Sequence, residues 1–242
     1  MDLKEVNELS ILDERRHWWI RTRFNYIDRA LSLIKKKSIN ILEFGCGTGQ
    51  NLWYARTESP YLSMVGDMRG VDPGLQEEIH FDWQTNKDSI TSSLSSDDIK
   101  GDCLLAMDVL EHIEDDREAL QEWVGHLNSD AIVLLTVPAF QHLWSYHDVF
   151  LEHKRRYTKK SLVKLAKESG LEPIKVSYAF GYLYPVVFLI RKLFTSSENK
   201  SDLTLPHPFV NKVLQILGKI ESSLGGCPWF GTSVIGVFKK SE

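Results

Sequence analysis

The sequence predicts an α/β fold with a doubly wound, mostly parallel sheet. Three observations carry this: apolar runs of strand length alternate with segments of helical spacing, one such run breaks into a glycine-rich turn that opens a helix, and two more runs are apolar throughout. With 242 residues, 43% of them apolar, the chain is long enough to bury one such core with elaborations, and residues 1–242 are read as a single domain. A formal charge of −4 and an isoelectric point near 6.1 exclude a globally basic molecule, so no nucleic-acid partner is expected.

Residues 11–37 are aromatic and charged, with Trp18, Ile20, Phe24, Ile27, Leu31 and Ile34 near helical spacing, which predicts one or two helices. The opening MDLKEVNELSIL carries charge where a secretory peptide needs an unbroken apolar run, so no export signal is read there and a cytoplasmic location is expected. An apolar run over 39–44, the turn GCGTG and a helix over 50–56 make the first βα unit. A second strand ends at GVDP, 70–73, because proline cannot donate to a ladder and disfavours helix in its predecessor. Residues 76–100 are rich in Asp, Ser and Thr, with a short apolar stretch at 79–83, and predict a loop-rich crossover.

Residues 102–107 (DCLLAM) and 131–137 (AIVLLTV) have the continuous apolarity of buried parallel strands, with a helix over 115–127 between them. A helix over 159–169, stopped by Gly170, leads to a strand over 172–179. The last strand, 232–238, follows only after about fifty residues, too many for an ordinary connection. That insertion is expected to hold two helices that cap the site, and its polar stretch 196–208 is expected to be mobile.

Cys46, Cys103 and Cys227 are odd in number, far apart and without metal-ligand spacing, so neither a disulfide framework nor a structural zinc site is indicated. Gly45, Gly47 and Gly49 after an apolar strand let the chain turn sharply and bring its backbone against a ligand at a helix N-terminus. They are also compatible with a merely structural turn. A dinucleotide fingerprint places Gly or Ala at position 50, where this chain has Gln50; that counts against a nicotinamide-dependent oxidoreductase without removing it.

ILEFGCGTGQN, with Glu43 two residues before Gly45, resembles the first motif of the class I S-adenosylmethionine-dependent methyltransferases. GVDP resembles their second motif, and MDVLEHIEDD at 107–116 the motif that follows their fourth strand. The resemblance implies a Rossmann-like sheet of about seven strands, the last antiparallel. It also implies a helical lid over 1–37, a cofactor-binding core over 38–180, a helical insertion over 181–229 and a closing strand and tail over 230–242.

By the same resemblance the cofactor is S-adenosylmethionine and the product S-adenosylhomocysteine. Gly45, Gly47 and Gly49 would border its methionine part, with Glu43 and Cys46 in the same cofactor-binding loop, Asp72 would accept from the ribose hydroxyls with Pro73 beside it, and Asp108 would lie near the sulfonium. Asp82 and Trp83 are assigned to the adenine, by hydrogen bond and ring contact, in a stretch where the family's third strand and helix are not recognisable. HWWIRTRFNYI at 17–27 and the segment 137–162 resemble a bacterial branch associated with glycan or lipid biosynthesis. A small-molecule, sugar or lipid-linked acceptor is therefore expected, with its identity set by the 181–228 insertion.

Direct attack of an acceptor on the methyl group needs alignment and exclusion of water rather than a metal. For a hydroxyl acceptor, His147 or His112 is the candidate base. Asp108 and Glu111 are alternatively acids that complement a helix dipole, and His147, His153, Arg155, Arg156 and Tyr157 either line the site or form a solvated loop. Trp18, Trp19, Arg21 and Arg23 form a lid, with an arginine for the cofactor carboxylate, or pack structurally; adjacent tryptophans on a helix face apart, so one of them is expected to be structural.

Residues 178–194 are strongly apolar, yet too short before Arg191 and broken by Pro185 to span a bilayer. With Val210, Val213, Leu214, Leu217 and Ile220 they form core, the preferred assignment, or an apolar acceptor pocket, a dimer face or a peripheral membrane contact. The motifs are also compatible with a non-catalytic cofactor-binding protein, and the sequence leaves the oligomeric state open.

Overall fold

The computed structural model describes residues 10–75, 81–94, 99–193 and 204–241. Seven strands form one sheet: β1 (Ile39–Phe44), β2 (Val65–Val71), β3 (Asp88–Thr91), β4 (Gly101–Met107), β5 (Leu127–Pro138), β6 (Leu171–Ala179) and β7 (Ser233–Lys240). Their order is β3-β2-β1-β4-β5-β7-β6, with β7 antiparallel to both β5 and β6 and the other pairings parallel. The order reverses between β1 and β4, and an open α/β sheet leaves a crevice for ligands beyond the carboxyl ends of the strands at such a point.

Alternate residues of the central strands feed two cores. Ile41, Cys103, Leu105 and Leu134 pack on one face against α2 (Trp18–Leu31) and α3 (Gln50–Thr57). Leu42, Leu104, Ala106 and Leu135 pack on the other against α4 (Asp116–Gly125) and α6 (Lys159–Glu168). Burial on both faces explains why these strands read as unbroken apolar runs.

The N-terminal segment forms α1 (Ile11–Arg16) and α2, separated at His17, which caps α2 by accepting from the Trp19 N–H at 3.3 Å. Ile20, Phe24, Ile27, Ala30 and Leu31 of α2 are buried in the sheet's core, so it is the start of the helix, through Arg23, that covers the carboxyl edge. After β5 comes the short α5 (Tyr146–Phe150), and the expected insertion supplies α7 (Tyr184–Leu193) and α8 (Pro208–Leu224). Pro185 is the second residue of α7, where a missing N–H costs nothing.

Helix α8 docks on α2: Asn211 accepts from the Trp18 N–H at 2.9 Å and donates to the Arg16 carbonyl at 2.9 Å, while a Cβ on Gly218 would come within 2.1 Å of Thr22 Oγ1. Glu221 of α8 accepts from the Phe180 and Gly181 N–H groups at 2.5 and 2.7 Å, fixing the chain where it leaves β6.

Two expectations change. The 76–100 crossover contains an edge strand, β3, which its sequence DSIT conceals: Ile90 is buried, and buried Asp88 is paired with Arg56 of α3 and accepts from Thr85. The apolar residues of α7 and α8 are not core. Val186, Leu189, Ile190, Leu193, Val210, Ile216, Ile220 and Leu224 are exposed, as are Phe209 and Trp229, at 72% and 76%. The expected mobile stretch at 196–208 falls largely outside the described residues, as does Ile79 of the 79–83 run. Among the described residues no helix is long and apolar enough to cross a membrane.

Candidate functional site

The carboxyl ends of β1, β2, β4 and β5 open on a cavity of about 850 Å³. Its first wall is the turn after β1. Gly45, Gly47 and Gly49 all have positive φ, at 67°, 50° and 70°, and a Cβ on Gly45 would sit 2.3 Å from Val109 Cγ2, so both backbone conformation and space require glycine there. The Gly45 and Cys46 N–H groups donate to the Val71 carbonyl at 2.7 and 3.2 Å, binding the turn to the end of β2.

One residue further, Asp72 accepts from the Gly47 N–H through Oδ2 at 2.9 Å and from the Gly74 N–H through Oδ1 at 3.0 Å. Each oxygen keeps lone-pair capacity, and the residue faces the cavity beside Pro73. Beneath the turn Glu43 is fully buried; it accepts from Asn51 of α3 at 2.6 Å through Oε1, and Oε2 has no partner. Burial pushes its carboxyl from the ordinary range up to about 7 in spite of that hydrogen bond.

The outer side of the turn is held by α1. Thr48 donates to buried Glu14 at 3.1 Å, and Arg15 donates to Gln50 at 2.8 Å while lying over the Trp53 ring at 4.0 Å. Position 50 therefore faces a protein side chain, which gives Gln50 a structural reason.

The second wall follows β4. Asp108 has a positive φ of 60° and receives Arg23 of α2 at 3.3 Å. Arg23 is itself 2% exposed, donates to the Met107 carbonyl at 2.9 Å, stacks over Trp19 at 4.6 Å and leaves Nε without a partner. Phe140 and Phe180, just beyond β5 and β6, also have positive φ. Strained backbone thus recurs along this edge, as functional sites commonly show.

Glu111 and His112 occupy the turn Leu110–His112. Burial, then the neighbouring Asp108 carboxylate, push the Glu111 carboxyl well above the ordinary range against opposing pulls from Arg23 and Arg156. The third wall is the loop around α5. Fully buried Asp148 accepts from His153 Nδ1 at 2.9 Å and from Arg156 at 2.7 and 2.9 Å. Burial alone would raise its carboxyl, but those hydrogen bonds and the Arg156 charge outweigh it and hold it below the usual range. His147, His153 and Arg156 all border the cavity, as do Leu183, Val187 and Arg191 at the start of the insertion.

Residues 16–176, more than half of the chain, match the family described as a methyltransferase domain. The chain belongs to that family. No curated protein sequence matches it.

Among solved structures, the plantazolicin methyltransferase BpumL, in complex with a monoazolic desmethylPZN analog and SAH, is 15% identical over 99% of this chain and 88% of its own, with a TM-score of 0.58. A chain from a complex between the Haloferax volcanii Trm112 methyltransferase activator and a provisionally assigned methyltransferase is 13% identical over 95% of this chain and 92% of its own, with a TM-score of 0.55. The cyclase SpnF is 12% identical over 90% of this chain and 80% of its own, with a TM-score of 0.51. These likenesses carry the fold, and a cyclase among them separates fold from reaction.

Within this methyltransferase-domain chain, Gly45, Asp72, Pro73, Asp108, His112 and His147 meet at the cavity. Glu43, Cys46, Gly47 and Gly49 do not border it: Glu43 lies beneath the turn, Cys46 packs towards Gly70, Gly47 is tied to Asp72, and Gly49 faces Ile90. Asp82 and Trp83, assigned to the adenine from the sequence, lie away from this cavity. Asp82 is exposed, and Trp83 stacks with Phe81 and packs near Gly49, outside the cavity; Ser92, Ser93 and Leu94, directly after β3, border it instead. Both Trp18 and Trp19 border the cavity while packing against the core, and of the two arginines only Arg23 borders it; Arg21 pairs with Glu58 outside it. Without a visible β3 in the sequence, the residues after it gave no signal.

Proposed function

We propose that the chain transfers a methyl group from S-adenosylmethionine to an oxygen of a lipid-linked acceptor. The observation that carries the cofactor half is Asp72: a carboxylate at the tip of β2, oriented by two backbone N–H groups and open to the cavity, suits a pair of vicinal ribose hydroxyls. The unpartnered Nε of buried Arg23 suits the carboxylate end of an amino acid, and Ser92 to Leu94 suit the adenine. Glu43 and Asn51 act as positioning residues that hold the turn against α3.

S-adenosylmethionine, when bound, supplies an electrophilic methyl group on a sulfonium. The chain's own work is to align the acceptor and exclude water: Trp18 and Trp19 cover the edge, Asp108 and Arg23 fix the floor near the end of β4, and His147 or His112 takes the proton of an acceptor hydroxyl.

The acceptor class is supported by α7. Val187 and Arg191 border the cavity, while Val186, Leu189, Ile190 and Leu193 expose an apolar surface that the exposed residues of α8 extend. Lys192, Lys212 and Lys219 lie on the same two helices, an arrangement suited to an anionic membrane surface from which a lipid-linked substrate is drawn.

Incubation with methyl-labelled S-adenosylmethionine and a polar lipid extract is expected to move label into the organic phase. Label confined to water-soluble glycan precursors would overturn the lipid assignment and keep methyl transfer; no labelled product with either acceptor pool would overturn both. Stabilisation against heat by NADH rather than S-adenosylhomocysteine would favour the nicotinamide alternative.

A further inference from the structure

We infer that Glu111, His112 and His153 form a divalent transition-metal site in the wall of the cavity. One potential ligand atom from each of the three lies within 4.8 Å of the others, and all three residues border the cavity. They come from two segments, the turn after β4 and the loop after α5, which are joined where the Lys154 N–H donates to the Glu111 carbonyl at 2.7 Å.

Glu111 Oε2 is buried and has no hydrogen-bond partner. A carboxylate oxygen so placed is costly unless something pairs with it. The two cations nearest in effect are directed elsewhere: Arg156 is gripped by Asp148 through two hydrogen bonds, and Arg23 reaches Asp108 and the Met107 carbonyl. A metal ion that displaces the carboxyl proton would give this oxygen its partner.

The histidines are arranged for it. Asp148, fully buried, accepts from His153 Nδ1 at 2.9 Å, which fixes that ring's tautomer and leaves Nε2 as its coordinating nitrogen. A carboxylate behind the ring is the usual support of a metal-bound histidine. The His112 ring meets His153 edge to face, with centroids 4.7 Å apart. Bonds of about 2.1 Å would draw the three ligand atoms to roughly 3.4 Å from one another, a shift of about an ångström. His112, partly exposed in its short turn, is the ligand expected to move.

Two imidazoles and one carboxylate favour zinc, manganese, iron(II) or cobalt over magnesium or calcium, which prefer oxygen alone. Three protein ligands leave coordination positions open to the cavity, the pattern of a reactive site rather than a structural one. The methyl displacement itself needs no metal, and the site stands independently of that function. If the proposed function holds, an ion here would orient an acceptor hydroxyl and lower its pKa next to Asp108, and His112 as a ligand would leave His147 as the base.

The test is titration of the full, chelator-treated protein with cobalt(II), followed by its visible absorption and by calorimetry, without any methyl donor. One equivalent is expected to bind with micromolar or lower Kd and a d–d spectrum that reports nitrogen ligands. His112→Ala and His153→Ala, each shown to be folded by circular dichroism, are expected to lose affinity by at least about 10-fold. A folded wild type that binds no ion, or binding that survives both substitutions, would overturn the site and leave Glu111 and the histidines as a hydrogen-bonded network. A parallel titration with S-adenosylhomocysteine reports the cofactor half separately, so failure of one does not imply failure of the other.

Discussion

The cavity wall at the ends of β1 and β2 is made largely of main chain, whereas the wall beyond β4, β5 and β6 is made of side chains. In the first, three positive-φ glycines and four backbone N–H donors fix the shape, and Asp72 is the one carboxylate they aim. In the second, Arg23, Glu111, His147, Asp148, His153 and Arg156 come from α2, the turn after β4 and the loop around α5, with Arg23 paired to Asp108 and buried Asp148 joining His153 and Arg156. Main-chain construction ties a site to short contiguous motifs. Side-chain construction lets distant segments set the acceptor end without altering the cofactor end.

The sharpest way to break the comparison is Asp148→Ala. It strips Arg156, 4% exposed, of its buried partner and frees His153, and removal of one member of a buried ion pair typically costs about 3–5 kcal/mol. Thermal and urea unfolding should show that loss. A change below about 1 kcal/mol would mean that water already reaches this network.

Next come two buried titrating groups with opposite signs. Glu43 has a carboxyl raised to about 7, so between pH 4.5 and 7 the folded state holds a proton that the unfolded state has released. Its contribution to stability therefore falls as pH rises through that window, by about 3 kcal/mol. Burial lowers His17 from 6.5 to about 4, so the unfolded state takes up its proton first and stability is lost as pH falls from 6.5 to 4, again by about 3 kcal/mol. Melting curves across pH 4–8 should show Glu43→Gln gaining on the wild type as pH rises, and His17→Asn, which retains an N-cap, gaining as pH falls. Parallel curves for both variants would contradict these environments.

A smaller stability effect is expected on the exposed helices. Phe209→Ser with Leu224→Ser, both on α8, should change stability by no more than about 0.5 kcal/mol each while weakening association with anionic lipid vesicles in a sedimentation assay. Retained association would remove the membrane contact from the acceptor half. Smallest of all, Asp82→Ala should leave S-adenosylhomocysteine affinity within about 2-fold, since that exposed side chain lies outside the cavity.

The same division governs what the sequence revealed. The glycine turn, Asp72 and Asp108 were legible because backbone geometry at a strand end demands particular residues within a few positions. Strand β3 was hidden by its short length and three polar residues, whose one acid is paired with Arg56 from another element, and with it went Ser92 to Leu94. His147 was singled out from a loop of several candidates, whereas Asp148 and Glu111 expose His153 only once folded. The apolar periodicity of α7 and α8 was visible, but amphipathic spacing does not say whether a face meets core or solvent.

The most direct test of the central claim is calorimetric titration of S-adenosylhomocysteine into the wild type and Asp72→Ala. One site of micromolar affinity is expected in the wild type, with a loss of about 10- to 100-fold in the variant as charge-assisted hydrogen bonds to ribose are removed. No binding by folded wild type, or equal affinity in Asp72→Ala, would contradict it.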